Sequence, residues 1–209
     1  MNIVIRLGTN PSPGSAISQV RVTTSGTVFD PSGKPAPGVF ITMFSSGGLR
    51  STVQSDANGK YTAQWQTLFI SNNSGKAEMF ARDPAHNLAA TSEVDTNTTS
   101  LDLHLQPGLT LAGEVRDSDG GQVTNAIVQL VPFPPADPAW GINRQTPTNA
   151  SPKGLFFFST LPQGAPYRVN VSADGYGSSS VTAKATDTQT TQFRLPTVVL
   201  NHANQQLAG

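Results

Sequence analysis

The sequence predicts an all-β chain built as two tandem β-sandwich modules. Three observations carry that expectation: a segment that recurs, an alternation of apolar and polar residues, and a composition rich in turn formers. Ser25-Gly26-Thr27-Val28-Phe29-Asp30-Pro31-Ser32-Gly33 aligns without a gap to Ala112-Gly113-Glu114-Val115-Arg116-Asp117-Ser118-Asp119-Gly120. The register continues, so that Val39 and Ile41 correspond to Ala126 and Val128, at an offset of 87 residues between Gly26 and Gly113. That spacing is too long for a solenoid unit and suits a small sandwich domain. Leu101, Leu103 and Leu105 alternate with Asp102 and His104, and Tyr167, Val169 and Val171 with Arg168 and Asn170; a period of two is the mark of a half-buried strand. The 19 glycines and 16 prolines supply the punctuation for many short strands.

In the first module, Gly26-x-Val28-x-Asp30 reads as a strand ending at an Asp whose carboxylate takes the N–H groups of the next turn. Gly33 supplies the positive φ of that turn. Val39 to Met43 is then the return strand of a hairpin. Asn58-Gly59, within Asp56-Ala57-Asn58-Gly59-Lys60-Tyr61, signals a second hairpin. Tyr61, Ala63 and Trp65 alternate towards a core, and Leu101–Leu105 closes the module.

The second module repeats the plan with Asp117 and Gly120 at the turn and Ala126–Leu130 as the return strand. A Pro-rich excursion runs from Pro132 to Pro152 before Lys153-Gly154-Leu155-Phe156 resumes the pattern. Phe156, Phe157 and Phe158 face both ways, so this strand is expected to be covered on both sides. Val198-Val199-Leu200 closes the module. The expected organisation is therefore a leading strand and Gly/Pro/Ser-rich spacer at 1–19, modules at 20–107 and 108–200, and a tail or further repeat at 201–209. Ile3-Val4-Ile5-Arg6-Leu7 resembles Leu101–Leu105, and Gly209 falls where Gly26 and Gly113 open their modules; the chain is expected to be a segment of a longer array.

Composition narrows the function classes. Net charge is zero and only 12% of residues are charged, with no basic stripe of the kind nucleic acid requires. No run is long enough for a transmembrane helix. The absence of cysteine excludes disulfides, thiolate metal sites and cysteine nucleophiles. A surface rich in Ser, Thr and Asn points to an extracellular or cell-envelope protein, although no signal-peptide pattern opens the chain.

Gly-x-Val-x-Asp-x-x-Gly-Lys-Pro at 26–35, Asp-Ala-Asn-Gly-Lys-Tyr at 56–61 and Ser-Ala-Asp-Gly-Tyr at 172–176 resemble the carboxypeptidase regulatory-like domain family. The resemblance covers roughly 20–107 and 108–200 and implies two transthyretin-like Greek-key sandwiches, related to starch-binding-like domains. It says little about function, because such modules accompany peptidases, receptors, adhesins and surface proteins alike. The second copy departs from the pattern at Gln122-Val123-Thr124, which lacks the Lys-Pro.

No catalytic, cofactor or metal site is expected. His86, His104 and His202 are scattered singly, against the clustered ligands that zinc needs. Intradiol dioxygenases share the sandwich, but their two Tyr and two His have no matching spacing among Tyr61, Tyr167, Tyr176 and these histidines. Asp117-x-Asp119-Gly120 is locally acidic, yet Ser32 stands at the matching position of the first copy, so a turn-stabilising role is preferred to calcium. Asp30, Gly33, Asn58, Gly59, Asp117 and Gly120 are accordingly read as turn-defining. Trp140, on a Pro-stiffened loop with Phe133 and Pro138, is the candidate contact for a sugar ring or a partner. Ile3, Val4, Ile5 and Leu7 are candidates for strand donation to a neighbouring subunit. The expected function is a non-catalytic stalk, spacer or fibre segment whose partners are adjacent modules or copies of itself. The alternatives are a polysaccharide-binding module, or an accessory domain of a larger peptidase or surface receptor.

Overall fold

The computed structural model describes residues 18–45, 50–69, 75–132, 148–151, 153–164, 166–184 and 191–203, and every regular element among them is a β-strand. The chain divides into two compact units, Met1–Ala81 with Thr91–His104, and Arg82–Ala90 with Leu105–Gly209.

The first unit opens with β1 (Ser18–Phe29), followed by β2 (Phe40–Ser45), β3 (Arg50–Gln54), β4 (Lys60–Phe69), β5 (Ala77–Asp83), β6 (Leu88–Val94) and β7 (Leu103–His104). One sheet has the order β4-β1-β7, with β4 antiparallel and β7 parallel to β1. The other has the order β3-β2-β5-β6, extended beyond β6 by β8 (Gln106–Pro107). The tip of the β5–β6 hairpin, residues 82–90, and β8 belong to the second unit. Val22, Val28, Ala63 and Trp65 from the first sheet and Ile41, Met43, Ala77 and Met79 from the second are buried, as the period-two pattern requires. Polar groups inside this core are paired. Thr24 donates to Thr98 O (2.7 Å) and accepts from Trp65 Nε1 (3.1 Å), while Tyr61 OH donates to Leu101 O (2.7 Å).

Both turns expected to make hairpins close locally and then separate their strands into different sheets. At the first, Asp30 N donates to Lys34 O and Gly33 N to Asp30 O; at the second, Asp56 N donates to Lys60 O and Gly59 N to Asp56 O. Beyond each turn the partners change: Ser55 N donates to Val39 O, whereas Val28 N donates to Gly59 O. Thus β1 pairs with β4 and β2 with β3. The turn chemistry is local, but which neighbour each strand takes is set by the burial of two facing sheets.

The second unit follows the same path through β9 (Leu109–Asp117), β10 (Ile127–Pro132), β11 (Thr148–Asn149), β12 (Leu155–Leu161), β13 (Pro166–Ser172), β14 (Ser179–Lys184), β15 (Gln192–Arg194) and β16 (Val198–Leu200). One sheet is ordered β12-β9-β15, with β16 also pairing β9; the other is β11-β10-β13-β14. Leu111, Val115, Phe156, Val128, Val169 and Leu200 meet in one core between them. Val115 pairs with Val198 in parallel, as Val28 pairs with Leu103 in the first unit.

Phe156 and Phe158 are buried in this core, but Phe157 is 70% exposed. Within the chain, then, one face of this strand packs on its own core and the other is open: three consecutive aromatic residues do not reveal which of their two faces has a neighbour.

Candidate functional site

The turn-defining residues form a set of small carboxylate-capped loops. Asp30 Oδ1 accepts from Ser32 N (2.8 Å), Lys34 N (3.0 Å) and Ser32 Oγ (2.7 Å), and Gly33 sits at φ 80°. The Ser32 hydroxyl, followed by the Lys34 N–H, holds the Asp30 carboxyl below its ordinary pKa. Asp117 Oδ1 accepts from Asp119 N (3.0 Å) and Gly121 N (2.6 Å), with Gly120 at φ 85°. Asp56 Oδ1 takes Asn58 N (2.8 Å) and Lys60 N (2.9 Å), with Gly59 at φ 72°. In the second unit Ser151 Oγ replaces that carboxylate, accepting from Lys153 N and Leu155 N beside Gly154 at φ 70°.

The histidines stay apart. His86 Nδ1 lies 2.6 Å from Asp83 Oδ2, His104 stacks on Phe29 at 5.1 Å, and His202 lies 3.4 Å from Asp119 Oδ2 and 4.8 Å from the Tyr176 ring. Among the described residues no three His, Cys, Asp or Glu side chains gather as a metal site. Trp140, Pro138 and Phe133 lie outside the described residues, as do Ile3, Val4, Ile5 and Leu7.

Two features escaped the sequence reading. Glu78 shares a strand face with Phe80; burial raises its carboxyl pKa against the hydrogen bond from Thr91, while Glu93 adds a like charge and itself pairs with Lys76. Its only sequence signal is a charge inside a strand-like run. The other feature is an exposed row on the β12-β9-β15 sheet, where Phe157 stands opposite Ala112 and Ala112 opposite Arg194. Leu155, on the same face, is 44% exposed. The arrangement can present an apolar surface and a strand edge; it brings together no nucleophile, base and acid.

These are all-β units of paired sheets whose polar side chains serve turns and interior hydrogen bonds. The carboxypeptidase regulatory-like domain family matches residues 110–196, within the second unit. No curated protein matches the chain. Among solved structures, the Bacillus anthracis TIE protein is 15% identical with a TM-score of 0.39, over 87% of this chain and 34% of that one. A streptococcal ancillary pilin is 12% identical, TM-score 0.36, over 88% and 63%. The shaft pilin SpaA from Lactobacillus rhamnosus GG is 9% identical, TM-score 0.38, over 90% and 100%. The chain thus spans about a third of the first and under two thirds of the second.

Proposed function

We propose that this chain is a non-catalytic structural segment of an extracytoplasmic stalk or fibre, made of two copies of one sandwich module. The observation that carries the reading is where its carboxylates go. Asp30, Asp56 and Asp117 each spend an oxygen on two N–H groups of their own turn, which stiffens connections and leaves little for chemistry. Two copies are supported by equivalent bonds: Ser55 N to Val39 O recurs as Ala150 N to Ala126 O, and Val28 N to Gly59 O as Val115 N to Gly154 O.

Immunogold microscopy of intact producing cells tests the location. Labelling along surface projections is expected; label confined to the cytoplasm would overturn the reading. Strand donation by Ile3, Val4, Ile5 and Leu7 belongs to the same proposal, and undiminished polymer formation after deletion of residues 1–8 would remove it.

A further inference from the structure

Four Asn-x-Ser/Thr triplets without a central proline occur in the chain, opening at Asn72, Asn97, Asn149 and Asn170. Such a triplet is the acceptor pattern for sugar attached to asparagine, but the pattern alone does not choose among the four. The enzyme that attaches the sugar must close around the acceptor main chain. The triplet therefore has to lie outside a sheet ladder, with its asparagine and its hydroxyl residue open to solvent.

Two of the four do not meet these conditions. Asn170 sits in β13, paired with Gln129 of β10 on one side and Ser180 of β14 on the other. Asn149 pairs with Ile127 in the ladder of β10 and β11, and Ala150 N donates to Ala126 O. The Ser151 hydroxyl oxygen that would complete that triplet accepts from Lys153 N and Leu155 N. Asn72 lies outside the described residues.

Asn97 meets them. It follows β6 on the turn from Asp95 to Thr98, and both Asn97 and Thr99 are exposed. The turn holds without either of their side chains. Asp95 Oδ1 accepts from Asn97 N (2.9 Å) and Thr98 Oγ1 (2.8 Å), and Thr98 N donates to Asp95 O (3.1 Å). On the inner side, Thr98 O accepts from Thr24 Oγ1 (2.7 Å) and Thr99 O from Ser25 N (3.0 Å). The middle residue of the triplet thus anchors the loop, while the two residues that a transferase reads stay accessible.

We propose that Asn97 is a glycosylation site whose co-substrate is a sugar carried on a diphosphate. Asn97 Nδ2 bonds to the anomeric carbon of the sugar as the bond from that carbon to the diphosphate oxygen breaks. The diphosphate leaves with the electron pair, and one amide proton passes to a base of the transferase. Nucleotide diphosphates carry single sugars and polyprenyl diphosphates carry oligosaccharides, so the added mass tells the two donors apart. The site goes beyond the fibre reading and does not rest on it. A sugar there adds hydration to a chain with only 12% charged residues.

Peptide mass spectrometry of the chain purified from producing cells tests this. Trypsin releases residues 83–116, in which Asn97 opens the only triplet. That peptide should carry sugar on Asn97, a single hexose from a nucleotide donor or an oligosaccharide from a polyprenyl donor; either supports the site. Thr99→Ser should keep the added mass and Thr99→Ala lose it, both with unchanged melting curves because the side chain is exposed. The peptides holding Asn149 and Asn170 should be unmodified. An unmodified 83–116 peptide, sugar retained in Thr99→Ala, or occupancy at Asn149 or Asn170 equal to that at Asn97 overturns the proposal. Unmodified Asn97 on a chain that immunogold places along surface projections overturns the site alone and leaves the fibre reading standing.

Discussion

Tyr61 illustrates how one side chain ties two parts of a unit together. Its ring fills the core beside Met79, and its hydroxyl satisfies the carbonyl of Leu101. Burial first, and then the negative charge of Asp102, push its pKa up to about 12 from 10.0. A folded-state pKa raised above the unfolded one adds stability that is complete below pH 10 and disappears as pH climbs to about 12. Urea titrations at pH 9 and pH 12 should therefore show an alkaline loss that Tyr61→Phe lacks, set against a cost of about 1–2 kcal/mol at neutral pH for the unpaired carbonyl. The recurring glycine teaches a different lesson. A Cβ on Gly26 would lie 1.7 Å from Leu101 O, whereas on Gly113 it would lie 2.3 Å from the Phe156 ring. The recurring Gly-x-Val segment is plain in the sequence at both positions, but what each glycine makes room for is not, because each depends on a partner distant in sequence.

The strands show where sequence reasoning reaches and where it stops. Turns were legible because Asp30, Asp56 and Asp117 act on residues two and four places ahead. Sheet membership was not, since an Asn-Gly turn has the same local chemistry whether its strands stay together or part. Nor could alternation distinguish the covered face of β12 from its open one. Asn87 and Thr160 are a further case, being the positive-φ residues other than glycine among those described, at 51° and 58°. They meet within the second unit. Asn87 Oδ1 accepts from Thr160 N (3.0 Å) and Oγ1 (3.3 Å), and Asn87 Nδ2 donates to Gly108 O (3.2 Å). Asn tolerates this backbone conformation, whereas a β-branched residue there is strained. Asn87→Gly keeps the backbone freedom and loses the bonds; Asn87→Ala loses both. Hydrogen exchange at the Thr160 amide should accelerate in either variant, with a destabilisation of about 1–3 kcal/mol that is larger for Ala. Unchanged protection at that amide would show that the Asn87 side chain is not its restraint.

At the scale of the molecule, each unit has an entry strand and an exit strand lying side by side in parallel. In the first, β1 runs beside β7, with Val28 opposite Leu103 and Phe29 opposite His104. In the second, β9 runs beside both β15 and β16, from Thr110–Gln192 through Asp117–Leu200. Tension applied where the chain enters and leaves such a unit slides the two strands along each other, so the cross-strand bonds resist in shear and break together instead of peeling one at a time. The longer ladder of the second unit should yield at the higher force when single chains are stretched between a tip and a surface. Equal rupture forces would mean that something other than these ladders limits the strength.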